Sequence, residues 1–263
     1  MIKVNGTELT QGKYPDGSLM CHPPFIGGGS ICIEWHYEND GEFFTIQCLR
    51  NHYFHQWVEL QMLYCPHARM DRVKNNSDMF TLQAFAKAIN AMKFDKVIIL
   101  DAHSNVAPAL IDRCENINAT PMILKAIEDL AKEKEEDNLA LFFPDEGAMK
   151  RYTDYFYHIP FSFGVKKRNW DTGSILSLNI QDSENIKGKD VLIIDDICSK
   201  GTTFYYSAKA LLEAGAKSVS LYITHCENTI LEGKIFESKL IERVYTTDSL
   251  VHKDELKEKV IYV

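Results

Sequence analysis

The run VLIIDDICSKGTT, Val191 to Thr203, gathers the residues best suited to chemistry in this chain. Four apolar β-formers deliver two adjacent carboxylates, Asp195 and Asp196. A short loop of Ser199, Lys200, Gly201, Thr202 and Thr203 then opens a helix-like segment. Carboxylates at a strand end can take the hydroxyls of a sugar. Backbone N–H groups of a small-residue loop at a helix N-terminus can cradle a phosphate. One segment thus offers both halves of a sugar-phosphate site. The bland alternative is an ordinary strand–turn–helix with an acidic surface turn. Two acids placed directly after a buried apolar run, with no basic neighbour, weigh against it.

Three further clusters fall where strands are expected to end, the place where ligands of open α/β sheets collect. They are Arg69 with Asp71 and Arg72, Asp101 with His103 and Ser104, and Asp145 with Gly147. A basic trio, Lys166, Lys167 and Arg168, is expected on a loop. Asp101 and His103 lie two apart, so in extended chain they face the same way. Such a pair suits a divalent ion on phosphate oxygens, because magnesium keeps few protein ligands. A capping aspartate and a core histidine form the competing reading. Arg69 and Arg72 can grip phosphates or stack on a purine, or simply make a surface network with Asp71. The basic trio can stabilise charge on a transferring phosphoryl group, or be a solvated turn. The G-x-x-x-x-G-K-[ST], H-E-x-x-H and G-x-S-x-G motifs do not occur, which weighs against a P-loop ATPase, a zincin and an α/β-hydrolase.

The elements that must position these groups alternate in type. The first part, to about Tyr64, reads as β-rich, with strands over 31–37, 43–49 and 57–64 and a hairpin turn at 38–41. Gly27 to Gly29 reads as a loop. A helix over 78–92 carries Leu82, Phe85, Ala86 and Ile89 on one face, with Ser77 or Asp78 as its cap. A strand follows over 97–100. Thr120 caps the next helix, with Pro121 in its first turn and Ile123, Ile127 and Leu130 as its apolar stripe. Strands are expected over 139–143, 159–165, 174–180, 191–194, 218–224 and 243–247, with a helix from about Thr203 to Gly215. This alternation predicts an α/β fold with mainly parallel sheets. VIILDAHS and VLIIDDIC echo each other, which points to two related domains, 1–118 and 119–263.

Composition narrows the function classes. The 263 residues, 45% hydrophobic and 25% charged, are those of a soluble globular protein with ample core. A net charge of -8 argues against a nucleic-acid partner. Seven scattered cysteines without a C-x-x-C pair point to reduced thiols rather than a disulfide frame or zinc site. The start lacks the apolar core of a signal peptide, and no apolar run reaches membrane-span length. The expectation is a cytoplasmic protein with no membrane partner.

Together these motifs resemble the ribose-phosphate pyrophosphokinases (PRPP synthetases) and, more broadly, the type I phosphoribosyltransferase fold. VLIIDDICSKGTT is similar to the PRPP-binding signature that both groups carry. YCPHARMDRVKNNSD resembles the synthetases' Y-A-R-Q-D-R segment, and VIILDAHS their D-L-H metal segment. PDEGA is similar to their P-D-x-G-G loop, GVKKR to the D-K-R-R start of their flexible loop, and KYPDGSL to F-S-D-G-E. The resemblance implies two phosphoribosyltransferase-like domains, the first on the ATP side and the second on the ribose-phosphate side. It implies Lys166 and Arg168 as catalytic stabilisers of the transferring diphosphate. Asp16, Arg69, Asp71 and His103 would bind ATP, and Asp101, His103 and Asp145 would contact Mg2+. Asp195 and Asp196 would hold the ribose hydroxyls, and Ser199, Lys200, Gly201, Thr202 and Thr203 the 5′-phosphate end. The implied reaction moves the β,γ-diphosphate of ATP to an anomeric hydroxyl and releases AMP, in a homo-oligomer.

The chain also departs from that pattern. The synthetases' D-T-G-G-T loop is here Ser199 to Thr203, with an acid lost, a lysine gained and a glycine replaced by a β-branched residue. Ser18 and Met70 stand where Glu and Gln are expected. No room is expected between FFTIQCL and LQMLYC for a first crossover helix, and the final helix is missing. The extra charge at Lys200 makes ADP-ribose an alternative acceptor to ribose 5-phosphate. A phosphoribosyltransferase using PRPP would leave ARMDR and DAHS unexplained. A non-catalytic regulatory partner would have no need of Lys166, Arg168, His103 and the Asp pair.

Overall fold

The computed structural model describes residues 1–134, 138–168 and 175–263, with the side chains of 166–168 and 175–178 outside the described residues. The chain divides into two compact units, Met1–Asn118 with Ser249–Val251, and Ala119–Asp248 with His252–Val263.

The first unit holds strands β1 (Ile2–Val4), β2 (Thr7–Glu8), β3 (Gln11–Lys13), β4 (Leu19–Cys21) and β5 (Ser30–Trp35), then α1 (Glu42–His52) and β6 (Trp57–Met62). It continues through α2 (Thr81–Met92), β7 (Lys96–Leu100), α3 (Val106–Leu110) and β8 (Cys114–Ile117). Its main sheet has the order β2-β1-β5-β6-β7-β8, parallel from β5 to β8, while β3 and β4 form a separate hairpin. Strands β5 and β6 alternate: Ile31, Ile33 and Trp35, with Val58, Leu60 and Met62, are buried in one core with Ile46 and Leu49 of α1 and Leu82, Phe85 and Ile89 of α2. The opposite face carries Glu34, Glu59 and Gln61, with Lys3 on Glu34 at 2.8 Å and Gln61 donating to Glu59 at 2.6 Å. A period of two with one apolar face is the mark of a sheet covered on that face.

Residues 43–49 are helix, not the second strand of a hairpin. Strands β5 and β6 run parallel, so the chain must cross back between them, and a tight turn cannot do that. Aromatic and β-branched residues gave FFTIQCL its strand-like look. Its burial instead follows helical spacing, with Thr45, Ile46 and Leu49 buried and Phe44 58% exposed. The crossover helix expected to be missing here is therefore supplied by this segment itself. At its start the buried Glu42 carboxylate accepts the Trp35 Nε1–H at 2.9 Å and the Glu38 N–H at 2.8 Å. The cap expected for α2 also differs: Phe80 precedes the helix without a side-chain cap, and Asp78 accepts from the Lys74 and Asn75 N–H groups instead.

The second unit runs α4 (Thr120–Ala131), β9 (Leu139–Phe143), α5 (Glu146–Tyr152), β10 (Phe161–Arg168), β11 (Ile175–Gln181) and β12 (Asp190–Cys198). It ends with α6 (Thr202–Glu213), β13 (Ser218–Cys226), α7 (Ile235–Ser238), β14 (Val244–Thr246), α8 (Asp254–Lys257) and β15 (Ile261–Tyr262). The sheet order is β11-β10-β9-β12-β13-β14-β15, with β10–β11 its antiparallel pair. Strands β9 and β13 are buried along their whole length because helices cover both faces. Val191 and Ile193 pack with Phe204, Ala208 and Leu211 of α6, while Leu192 and Ile194 pack with Ile123, Ile127, Ala148 and Tyr152 of α4 and α5. The basic trio, expected on a loop, forms the end of β10, where Lys166 pairs with Leu178 and Arg168 with Ile175 across a register shift. The partner strand was expected over 174–180, but β10 was expected to stop at 165, before the trio.

Candidate active site

Strand β12 is central, so its C-terminal end opens at the sheet edge where α/β sheets place ligands. Asp195 and Asp196 stand there. Burial, the adjacent Asp196 charge and the nearby Asp145 push the Asp195 carboxyl well above its ordinary range. Adjacent carboxylates of this kind titrate as a pair, each opposing ionisation of the other. Asp196, 3% exposed, is paired through Oδ1 with Arg151 Nη1 of α5 at 3.1 Å. The same helix begins at Asp145, whose Oδ1 accepts the Ala148 N–H at 3.1 Å. One short helix thereby contributes both a further acid and the counter-charge to the Asp pair.

After Cys198 the chain turns through Ser199, Lys200 and Gly201 into α6. Gly201 adopts φ 70, a left-handed backbone, and an added Cβ there would sit 2.5 Å from Ile235 Cγ1. Having no side chain, Gly201 cannot cap α6, and the helix starts beside the exposed Thr202 without a side-chain cap from its N-cap residue. An uncapped helix start carries partial positive charge and binds anions. Lys200 Nζ meets Glu232 Oε2 at 2.9 Å on the rim, and this contact lowers the Glu232 carboxyl from its usual range. A Cβ at Gly233 would overlap the Lys200 carbonyl oxygen, so only glycine lets the 228–233 turn pack against the loop.

In the first unit the ends of β6 and β7 come together. Asp71 is buried and receives two bonds from Arg72, Nε at 2.8 Å and Nη2 at 3.1 Å. Those bonds lower its carboxyl against the opposing effect of burial, and Ser104 and His103 add to the lowering. Asp71 is thus a brace between the ARMDR and DAHS loops. Arg69 is exposed beside it, and His103 is half-buried. Asp101 is 2% exposed with φ 44, and its N–H donates to Ile117 O at 2.7 Å. Asp16 sits at the tip of the β3–β4 hairpin, where its Oδ1 accepts from the Ser18 N–H and Oγ–H at 2.9 and 2.7 Å. The side chains of Lys166 and Arg168 lie outside the described residues.

Among the described residues no group of three or more His, Cys, Asp and Glu converges as a metal site. The donors present are hard carboxylate oxygens, Asp145 and Asp195, close enough to repel each other. That set fits a divalent cation of the magnesium kind, which retains water and uses one or two protein carboxylates. Sequence reading missed Arg151, Glu232, Gly233 and Ile235. Only Gly233, a glycine shortly after a buried strand, carried any local signal.

A phosphoribosyl transferase domain model matches residues 113–248, just over half of the chain, and spans this whole acidic strand and loop. The chain belongs to the phosphoribosyl transferase domain family. Its relatives include the ribose-phosphate pyrophosphokinase of Thermosipho africanus, 28% identical over 196 residues that cover 73% of this chain and 60% of that protein. The ribose-phosphate pyrophosphokinase of Mesorhizobium japonicum is 32% identical over 189 residues, covering 70% of this chain and 58% of the relative. The chain thus spans about three-fifths of the length of these relatives. Phosphoribosylpyrophosphate synthetase from Mycobacterium smegmatis superposes with TM-score 0.79, 15% identity, and coverage of 97% of this chain and 85% of that one. This likeness carries the fold of the family, α/β with mainly parallel sheets in two sheet-bearing domains. No described helix is long and apolar enough to cross a membrane.

Proposed function

We propose that this member of the phosphoribosyl transferase family is an ATP-dependent diphosphokinase acting on a ribose with a phosphorylated 5′ end. The observation that carries the reading is the β12–α6 junction, where two strand-end carboxylates lead directly into a helix start without a side-chain cap, as a sugar-phosphate site would require. The names of the relatives support it. The second unit would take the ribose phosphate and the first unit the ATP, with Arg69, Asp71 and His103 at the nucleotide and Asp16 reaching the adenine, in a cytoplasmic homo-oligomer.

In this reading Asp195 and Asp196 hold the ribose 2- and 3-hydroxyls and so fix the anomeric carbon. The N–H groups of Gly201 to Thr203 receive the 5′-phosphate. The anomeric oxygen attacks the β-phosphorus of ATP, the bond from that phosphorus to the α,β-bridging oxygen breaks, and AMP leaves with that oxygen. The hydroxyl proton passes to water. Lys166 and Arg168 hold the diphosphate as charge builds on it. Asp145 and Asp195 in the second unit, and separately Asp101 and His103 in the first, would each contact Mg2+, which when bound screens the phosphate charge.

The acceptor is ribose 5-phosphate or ADP-ribose. The latter has the same free anomeric hydroxyl and a diphosphate at its 5′ end, and its 1-diphosphate would serve NAD synthesis. The protein is to be mixed with ATP, Mg2+ and each acceptor in turn, and AMP measured. AMP that depends on acceptor is expected, and AMP with neither would sink the reading. The family match alone also fits a phosphoribosyltransferase, which would consume PRPP with a nucleobase and make no AMP. Lys166→Ala and Arg168→Ala are each expected to slow turnover far more than they weaken ATP binding.

A further inference from the structure

The cation on the phosphate loop is held from outside the loop. Lys200 and Glu232, paired at 2.9 Å, are 61% and 60% exposed. Lys253 adds a second positive charge toward Glu232. Immediately after Glu232, Gly233 packs against the Lys200 backbone so closely that no Cβ fits. The dipeptide Glu232–Gly233 therefore fixes the main chain at Lys200 and offers its side chain a partner, both from the Asn228–Glu232 turn.

An exposed pair of this kind is weak and easily exchanged. A ligand whose anionic end stays within the backbone cradle of α6 leaves the pair closed, and it meets the Glu232 carboxylate at the rim. A ligand whose anion extends beyond the cradle can draw the ammonium away, replacing one carboxylate partner by phosphate oxygens. The cost of opening is small, and the gain is a second charge-assisted contact.

We propose that Glu232 is a specificity-determining residue: it withholds Lys200 from ligands ending in one phosphate and yields it to ligands ending in a diphosphate. The proposal rests on the sugar-phosphate reading of Ser199 to Thr203, but not on turnover or on ATP.

The test is equilibrium binding of inorganic phosphate and inorganic pyrophosphate to the full chain by calorimetry, in the wild type, Glu232→Gln, Lys200→Met and the double variant. The wild type is expected to prefer pyrophosphate. Glu232→Gln is expected to tighten phosphate by about two- to fivefold and pyrophosphate by less, narrowing the preference. In the Lys200→Met background the same change is expected to tighten both anions about equally, by relief of repulsion alone, and so to leave the preference unmoved. Both substituted side chains are exposed, so thermal midpoints should be unchanged, and a purely structural role would move the midpoints without moving the preference. An unaltered preference in Glu232→Gln, or an equal effect with and without Lys200, would overturn the role of Glu232 alone. Failure of the wild type to bind either anion would instead overturn the sugar-phosphate reading beneath it.

Discussion

At the scale of single residues, the Asp pair depends on a cation that the sequence does not place near it. Arg151 lies more than forty residues before Asp196 and meets it only because α5 packs beside β12. Breaking a wholly buried pair by removing one partner costs about 3–5 kcal/mol. Arg151 is 21% exposed, so Arg151→Met is expected to cost about 2–3 kcal/mol in urea denaturation, and to raise the acceptor KM more than it lowers kcat. A stability unchanged within error would show that the pair does not form. A second residue gives a pH signature. His252 donates through Nε2 to the Cys226 carbonyl at 2.7 Å, so Nδ1 is left to accept from the Tyr262 hydroxyl at 2.6 Å, and the ring is the neutral Nε2–H form. Burial lowers its pKa below 6.5. The unfolded chain therefore takes up the proton first, and stability that is whole above about pH 6.5 is lost as pH falls through that value toward the folded pKa. His252→Gln is expected to flatten the denaturation midpoint between pH 7 and pH 5. An identical pH slope in the variant would rule out His252 as the source.

At the scale of elements, the difference between helix and strand at 43–49 can be tested with two alanines. A strand would place Phe44 and Ile46 on one face, whereas α1 buries Ile46 completely and leaves Phe44 58% exposed. Ile46→Ala is expected to cost about 2–4 kcal/mol and Phe44→Ala less than about 0.5 kcal/mol. Equal costs would contradict the helix. The segment misled because its residue types favour strands, while the deciding fact, that β5 and β6 are parallel, is non-local. The opposite holds for Val191 to Thr203. There the apolar run, the two acids and the small-residue loop are all local, so strand, site and helix start could be read from a few adjacent letters. Gly201 illustrates the limit. Its place in the loop was legible, but its contact with Ile235 belongs to another element. Gly201→Ala must strain a left-handed backbone and displace Ile235. It is expected to lower the unfolding free energy by about 1–3 kcal/mol and to abolish anion binding at the α6 start. Anion binding at wild-type strength would show that the loop tolerates a side chain there.

At the scale of the whole molecule, each unit has its own sheet and its own core, and the family match falls almost wholly on the second. The alternation of strands and helices made the α/β class legible from about residue 78 onward. The first unit was read less well because its polar strand face and its short β1–β4 strands depend on pairing rather than on apolar runs. The candidate residues of the first unit were harder to read for the same reason, since Asp71 proves to be a brace between two loops. The proposed reaction would move both phosphates beyond the α-phosphorus of ATP together to the anomeric oxygen of a ribose held at Asp195 and Asp196. The most direct measurement follows a radiolabel on the γ-phosphorus of ATP, in the presence of Mg2+ and ribose 5-phosphate or ADP-ribose. The account predicts label on the sugar product, matched mole for mole by unlabelled AMP, and lost on Asp195→Asn. Label released as free phosphate with ADP, or label on the sugar without AMP, would contradict it.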